Sequence, residues 1–374
     1  MSNPRILLAP DKFKGSLSAA QVCDLATEEL AEIWPEATFD RCPVADGGDG
    51  TCAAVADSRP WDWVGCSAHD ALGRSLTARY LYDASDRIAL LEMSAASGLV
   101  LVSDQPLDPR RASTFGTGEL LLDAIRRGAR RVVVGLGGSA TNDGGAGLAE
   151  ALGWEFRNVE GDRMEGLPQA LEQLETLTPP TDPISGEVQI VAACDVDNPL
   201  LGKEGAIPVY GPQKGVAEGD YNFFENRLSR LAERVGGQLH EIPGAGAAGG
   251  LGFGLMAFAG ASLQPGFDLV ADLLQLEGRL AEADLVVVGE GSFDSQTMDH
   301  GKGPARLLAM AQEKGVPVLV LCGIAEREAE FKSGACVVSC AGAGLSVGES
   351  MGNAAGVLVG EIRRNASRIQ SLLE

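Results

Sequence analysis

The chain has 374 residues, of which 45% are hydrophobic and 22% are charged, and its formal net charge is −22. This composition is typical of a globular protein with a substantial core and about two domains. The strong negative charge argues against nucleic acids and anionic membranes as partners, because both require a basic surface.

Hydrophobic periodicity predicts an alternation of strands and helices at both ends of the chain. We predict strands over residues 5–9, 38–44, 61–66, 76–82, 88–93, 132–134, 188–193, 285–288, 318–321 and 336–339. We predict helices over residues 18–33, 51–56, 118–127, 148–152, 222–235, 269–281, 304–314 and 355–373. The short strands of residues 61–102 are typical of an antiparallel meander, and residues 154–186 are Pro-rich and irregular.

This order of elements predicts an α/β fold with two α/β domains. Residues 1–60 and 270–374 are expected to form a terminal Rossmann-like three-layer domain. Residues 61–269 are expected to form a mixed α/β domain inserted in it, which carries glycine-rich loops.

The most informative segment is the loop of residues 135–147, which has six glycines and lies between a predicted strand and a predicted helix. Such a loop directs backbone N–H groups and a helix N-terminus towards an anion. Gly135, Gly137 and Ala140 also fit a weak form of the dinucleotide-binding fingerprint, although no clear ribose-binding acid follows. The polar residues of the loop suit contacts with phosphate or with a metal–phosphate group. They are Ser139, Thr141, Asn142 and Asp143.

Other loops that follow predicted strands carry charged side chains. Lys12, Lys14 and Ser16 could meet an anion, or could lie in an ordinary solvated loop. Asp46 and Asp49 suit Mg²⁺ or a hydroxyl substrate, although the local pattern by itself favours an Asp/Gly turn without a ligand. Further acidic candidates at strand ends are Asp195, Asp197, Glu290 and Asp294.

The glycine-rich segment of residues 244–249 fits G-x-G-x-x-G, but it follows Pro243 rather than a strand. It is therefore open whether these small residues bind a ligand or only allow close packing. Several other chemistries have no support, since the sequence lacks a P-loop motif and a G-x-S-x-G motif. Its three histidines lie far apart, and its eight cysteines contain no C-x-x-C pair, which suggests reduced thiols.

Taken together, the loops resemble the bacterial type I glycerate kinase family over nearly the whole chain and in the same order. The matching segments are APDKFKGSLSAAQV (9–22), PVADGGDGT (43–51), LEMSAASGL (91–99), STFGTGELL (113–121), GLGGSATNDGGAG (135–147), AACDVDNPLLG (192–202), YGPQKG (210–215), PGAGAAGGLGFG (243–254) and VGEGSFDSQT…GKGP (288–304).

The resemblance implies an ATP- and Mg²⁺-dependent kinase that phosphorylates D-glycerate to 2-phosphoglycerate in a cleft between two domains. For catalysis it suggests Lys14, and Asp195 ahead of Asp294 as the acceptor of the hydroxyl proton. Asp195 and Glu290 are the expected metal ligands. The expected nucleotide contacts are Gly137, Gly138, Ser139, Thr141, Asn142, Asp143 and Gly144. The expected substrate contacts are Lys12, Ser16, Asp46, Gly47 and Gly48.

Two alternative functions stay open at this point. One is an NAD-dependent hydroxy-acid dehydrogenase, which the Gly135–Ala140 fingerprint suggests. The other is a non-catalytic metabolite-binding relative of the kinases. The N-terminal residues lack a signal-peptide pattern and no apolar run is long enough to span a membrane, so we expect a cytoplasmic protein. The oligomeric state is left open.

Overall fold

A computed structural model describes residues 3–183, 186–293, 303–325, 335–343 and 347–374. The strands are β1 (Arg5–Pro10), β2 (Thr38–Arg41), β3 (Asp62–His69), β4 (Ser75–Asp83), β5 (Ile88–Glu92), β6 (Arg131–Gly135), β7 (Glu155–Arg157), β8 (Arg163–Met164), β9 (Thr176–Thr178), β10 (Gln189–Ala193), β11 (Ser262–Gln264), β12 (Leu285–Phe293), β13 (Val318–Ala325) and β14 (Ala335–Ser339). The α-helices are Ala19–Ile33, Thr51–Ser58, Ser94–Ser97, Phe115–Arg126, Ala146–Ala151, Ala206–Tyr210, Tyr221–Val235, Ala247–Ala259, Gly266–Leu274, Leu276–Ala281, Gly303–Lys314, Val347–Gly352, Ala354–Arg364 and Ala366–Gln370. The predicted α/β class is confirmed.

The chain divides into two compact units. Unit 1 comprises Met1–Asp46, Ala53–Pro60 and Phe267–Glu374, and unit 2 comprises Gly47–Cys52 and Trp61–Gly266. Residues 47–52, which were predicted in the terminal domain, therefore belong to unit 2. Residues 267–269, which were predicted in the inserted domain, belong to unit 1. The reason is local packing: Gly47 lies against Ala193 and Gly266 in unit 2, whereas Phe267 packs against Gly303 in unit 1.

Unit 1 is built on a five-stranded sheet in the order β14-β13-β12-β1-β2, in which every adjacent pair is parallel. Strands β1, β12, β13 and β14 are mainly apolar and buried, as expected for a parallel sheet that is covered on both sides, whereas the edge strand β2 (TFDR) is more polar. The helix Ala19–Ile33 packs on this sheet and begins with a capping box, in which Ser18 and Gln21 bond each other's backbone N–H groups. Its buried Glu29 pairs with Arg363 of the helix Ala354–Arg364.

Unit 2 is built on a six-stranded sheet in the order β11-β10-β6-β5-β4-β3. Strands β5, β6, β10 and β11 are parallel, whereas β3 and β4 are antiparallel. The predicted meander thus forms the antiparallel edge of a mostly parallel sheet. Its core includes fully buried Tyr80, Phe156 and Phe224. A separate antiparallel sheet, β8-β7-β9, occupies part of the segment that was predicted to be irregular.

Two predicted helices are interrupted in the structure. The predicted helix of residues 269–281 is two helices, because Gln275 adopts a left-handed conformation with φ of 54° between them. The predicted closing helix is likewise divided at Asn365 into Ala354–Arg364 and Ala366–Gln370. Hydrophobic periodicity did not reveal either break, since a single non-helical residue shifts the apolar pattern only slightly. None of the described helices is both long and apolar enough to cross a membrane.

Candidate functional site

In unit 2, three parallel strands end side by side at one edge of the sheet. The register pairs Glu92 of β5 with Gly135 of β6, and Gly135 with Ala193 of β10. The carboxyl edge of a parallel sheet is the usual position of ligand sites in α/β folds. The loops that leave this edge therefore define the first candidate site.

Two glycine loops pack backbone to backbone at this edge. A Cβ atom on Gly137 would lie 2.7 Å from the Cα of Gly48 and 2.9 Å from the amide N of Asp49. A Cβ atom on Gly135 would overlap the carbonyl oxygen of Gly47. Glycine is required at these positions because the two backbones leave no room for a side chain.

The Asp49 carboxylate lies beside Gly138. A Cβ atom on Gly138 would overlap both carboxylate oxygens, and its φ of +67° also favours glycine. Gly138 and Asp49 are exposed, and Gly137 is partly exposed. An exposed backbone next to an exposed carboxylate is a suitable place for a phosphate and its counter-cation.

Asp195 and Glu92 complete this edge. Asp195 is exposed, and its Oδ1 accepts a hydrogen bond from the amide N of Gly266 at 2.7 Å. Glu92 accepts a hydrogen bond from the amide N of Cys52 at 2.7 Å, and burial raises the pKa of its carboxyl group. Glu92 holds the start of the helix Thr51–Ser58, whereas Asp195 lies at the surface.

The second half of the glycine loop is different, because Ser139 and the segment from Thr141 to Gly147 are buried. Asp143 is 0% exposed. Its carboxylate accepts bonds from the amide N of Thr114 at 2.7 Å, the Thr114 hydroxyl at 2.8 Å, and the amide N atoms of Gly145 and Gly147, both at 3.1 Å. The anion at the N-terminus of the helix Ala146–Ala151 is therefore Asp143 itself.

This finding changes the interpretation of the predicted nucleotide contacts. Thr141, Asn142, Asp143 and Gly144 lie beneath the surface, and of the predicted contacts only Gly137 and Gly138 are open to a ligand. The sequence indicated a loop whose backbone N–H groups bind an anion. It did not reveal that the Asp143 carboxylate of the same loop accepts several of these N–H groups.

Residues 141–144 are covered by the other glycine-rich segment, which begins at Gly244. A Cβ atom on Gly249 would overlap the Thr141 carbonyl oxygen, and a Cβ atom on Gly250 would lie 2.8 Å from the Cα of Gly144. The residues from Ala248 to Gly250 all have positive φ, which lets the chain turn tightly over the first loop. Of the two alternatives for residues 244–249, the structure shows close packing.

In unit 1, the carboxyl edge of β1 and β12 gathers a second set of charged residues. The amide N of Asp11 donates to the carbonyl oxygen of Gly289 at 2.8 Å, which places Asp11 beside the strand that carries Glu290. Gly291 approaches the amide N of Lys14, from which a Cβ atom would be 3.2 Å away. Lys14 and Asp46 are exposed, Lys12 is partly exposed, and the Ser16 hydroxyl donates to the carbonyl oxygen of Phe13 at 3.0 Å.

Asp11 is a residue that sequence reasoning missed. It is 9% exposed, and its Oδ1 accepts a bond from the amide N of Lys12 at 2.6 Å. Burial and the nearby charge of Asp46 raise the pKa of Asp11 to about 6, although Lys12 opposes this shift. The sequence does carry a signal for Asp11, because this residue directly follows a buried strand. The prediction for this loop used only the lysines and the serine that come after it.

One predicted site residue, Asp294, lies outside the described residues. Within the described ranges, no group of three or more His, Cys, Asp or Glu side chains could hold a metal ion. Mg²⁺ commonly uses only one or two carboxylates together with substrate phosphates, so an exposed carboxylate such as Asp195 fits this mode of binding. The eight cysteines all lie in the described part of the chain, and none of them forms a disulfide bond.

Comparison with known proteins identifies the family. The model of the glycerate kinase family matches residues 6–370. The chain belongs to the glycerate kinase family. It is 40% identical over 328 residues to the glycerate 2-kinase of Escherichia coli (strain K12), with 85% of each chain covered. It is 39% identical over 323 residues to the glycerate kinase of Halalkalibacterium halodurans, again with 85% of each chain covered.

The family also agrees with the fold. The crystal structure of a candidate glycerate kinase 2 from Salmonella typhimurium LT2 matches this chain with a TM-score of 0.84 and 36% identity, and 99% of each chain is covered. The resemblance inferred from the loop motifs is therefore confirmed. Membership in a kinase family argues against the NAD-dependent dehydrogenase alternative.

Proposed function

We propose that this member of the glycerate kinase family transfers the γ-phosphoryl group of ATP to the 2-hydroxyl of D-glycerate, in a Mg²⁺-dependent reaction that yields 2-phosphoglycerate. The structural observation that carries the proposal is the packing of residues 47–49 on residues 135–138, which leaves Gly138 exposed and Gly137 partly exposed beside Asp49. Relatives named glycerate kinase and glycerate 2-kinase support the choice of reaction.

The nucleotide phosphates are assigned to the exposed backbone of Gly137 and Gly138. Phosphoryl transfer depends mainly on positioning and on neutralisation of charge, and backbone N–H groups supply both without side-chain motion. Asp143 and Gly144 act beneath the surface by fixing the loop. Ser139, Thr141 and Asn142 belong to the same supporting layer in this proposal.

The substrate is assigned to the loops that follow β1 and β2. Lys12 and Lys14 are proposed to bind the carboxylate of D-glycerate, because a protein with a net charge of −22 needs local cations for an anionic substrate. Ser16, Asp46, Gly47 and Gly48 are proposed to bind its hydroxyl groups. Lys14 is also the proposed catalytic cation that stabilises the transferred phosphoryl group.

A carboxylate must accept the proton of the attacking hydroxyl. Asp195 is proposed for this role because it is exposed at the sheet edge that also presents Gly137. Asp294 is the second proposed acceptor, and Asp11 is a third, since its pKa of about 6 lies closer to neutral pH than the pKa of an ordinary carboxyl group. Asp195 and Glu290 are the proposed metal ligands. Mg²⁺, when bound, would neutralise the charge of the ATP phosphates.

A coupled ADP-release assay with D-glycerate, L-glycerate, glycolate and tartronate tests the substrate assignment. We expect turnover with D-glycerate that requires ATP and Mg²⁺, and a kcat/KM at least tenfold lower for each of the other three acids. A protein that binds D-glycerate in calorimetry but releases no ADP would instead be a non-catalytic relative. Faster turnover of another acid would contradict the assignment of D-glycerate.

A further inference from the structure

Lys214 is the only buried lysine in the described part of the chain, and it is 2% exposed. It ends the short 3₁₀ turn Pro212–Lys214, and Gly215 follows it with a φ of 89°. This turn directs the lysine into the interior of unit 2 rather than to solvent. Neither the expected nucleotide contacts nor the expected substrate contacts include this residue.

The ammonium group of Lys214 contacts the buried half of the glycine loop. Its Nζ donates a hydrogen bond to the carbonyl oxygen of Thr141 at 2.8 Å. The charge of Asp143 also acts on Lys214 and favours its protonated form. A buried cation and a buried carboxylate therefore hold the same turn, residues 141–147.

The Thr141 carbonyl has little room for another partner. Gly249 is pressed against this carbonyl so closely that a Cβ atom there would overlap its oxygen. The neighbouring Thr141 hydroxyl and both polar atoms of the Asn142 amide are buried without a hydrogen bond to any described residue. Within the described residues, side-chain support for this turn thus comes from Lys214 at one end and from Asp143 and Thr114 at the other.

A buried ammonium group is a costly way to support a loop. Burial lowers the pKa of Lys214 to about 7, although the charge of Asp143 raises it. Apolar side chains of similar volume often replace buried ionic groups without loss of stability. A lysine at this position therefore suggests a role in the shape of the loop that an apolar side chain would not fulfil.

We infer that Lys214 is a positioning residue, which fixes the turn of residues 141–147 through the Thr141 carbonyl and thereby sets the position of Gly137 and Gly138. It acts from below the loop and does not touch the nucleotide. The effect of Lys214 on nucleotide binding rests on the proposed function. Its effect on the structure of the turn does not rest on that function, so the two effects can be tested separately.

The first test measures amide hydrogen exchange across residues 135–147 without ligand, in the wild-type protein and in Lys214→Met. Lys203→Met is the matched control, because Lys203 is exposed in the same unit. We expect exchange in residues 141–147 to be at least tenfold faster in Lys214→Met, with β10 unchanged, and wild-type rates in Lys203→Met. Equal protection of the turn in all three proteins would overturn the inference. If Lys214→Met does not fold, Lys214→Gln, which keeps a donor but removes the charge, takes its place with a threefold threshold.

The second test measures ATP binding by calorimetry and steady-state kinetics in the same variants. We expect Kd and KM for ATP to rise at least tenfold in Lys214→Met, while KM for D-glycerate stays within twofold. A structural defect alone would lower the active fraction, and hence kcat, with both KM values unchanged, and that result would refute the positioning role. If the wild-type protein shows no kinase activity, the proposed function fails, whereas the exchange experiment still decides the role of Lys214.

Discussion

Replacement of Gly137 by alanine tests the contact between the two glycine loops most sharply. The new Cβ atom would lie 2.7 Å from the Cα of Gly48 and 2.9 Å from the amide N of Asp49, whereas ordinary contacts begin at 3.4 Å. Both neighbours are backbone atoms, so no flexible side chain can move aside. The loops must separate by about 0.7 Å, the difference between 3.4 and 2.7 Å.

The expected magnitude follows from this displacement. Overpacking of a tight contact costs about 1–3 kcal/mol of stability. A misplacement of about 1 Å in a catalytic site costs on the order of 10²-fold in rate. We therefore expect Gly137→Ala to lower kcat/KM for ATP by roughly 10- to 100-fold while the protein remains folded.

The assay is ADP release at varied ATP concentration, together with thermal unfolding. Gly73→Ala is the matched control for a general loss of stability, because Gly73 has a φ of +83° and open space around it. We expect this control to lose about 1 kcal/mol of stability and to keep its kinetic constants. A Gly137→Ala protein whose kcat/KM for ATP stays within twofold of wild type would refute the argument that this contact positions the nucleotide loop.

Three further predictions concern charged groups. Asp195→Asn is expected to lower kcat on the order of 10²-fold, as measured by ADP release at saturating ATP and Mg²⁺; turnover within a few-fold of wild type would transfer the proton-acceptor role to Asp11 or Asp294. Asp11→Asn is expected to stabilise the metal-free protein relative to wild type above pH 6 but not below pH 4, because the folded state holds the Asp11 proton up to a pKa of about 6, whereas the ordinary pKa of an aspartic acid is 3.8. The increase in the pKa of Asp11 corresponds to about 3 kcal/mol in the free energy of unfolding. Urea titrations of the wild type and the variant across this pH range measure the effect, and a difference in stability that does not change with pH would show that the reasoning is wrong. Removal of divalent cations with EDTA is expected to abolish turnover and added Mg²⁺ to restore it, whereas activity that survives chelation would contradict the proposed magnesium dependence.

The fold class and the family could be predicted from the sequence because both depend on patterns that are local. Short apolar runs marked the strands of the parallel sheets, and the glycine loops carried the resemblance to the glycerate kinases. The breaks at Gln275 and Asn365 were not predicted, since they depend on the conformation of single residues rather than on hydrophobic periodicity.

The candidate site could be predicted only in part. Glycine content indicated where backbone approaches backbone, and at the sheet edge Gly138 is exposed and Gly137 is partly exposed. Glycine content could not indicate which polar residues of the loop 135–147 are buried. The burial of Asp143 depends on Thr114 and on the turn at Gly249, which are both far from it in the sequence. Lys214 was not predicted as a site residue for the same reason, since its partners Thr141 and Asp143 lie far away in the chain.

The identity of the product tests the central claim most directly. The purified protein would be incubated with ATP, Mg²⁺ and D-glycerate, and the phosphorylated product examined by ¹H-coupled ³¹P NMR. Transfer to the 2-hydroxyl predicts a phosphorus signal split into a doublet by the single proton on C2. A triplet from the C3 methylene group would show transfer to the 3-hydroxyl, and the absence of any phosphorylated glycerate would contradict the proposed kinase activity.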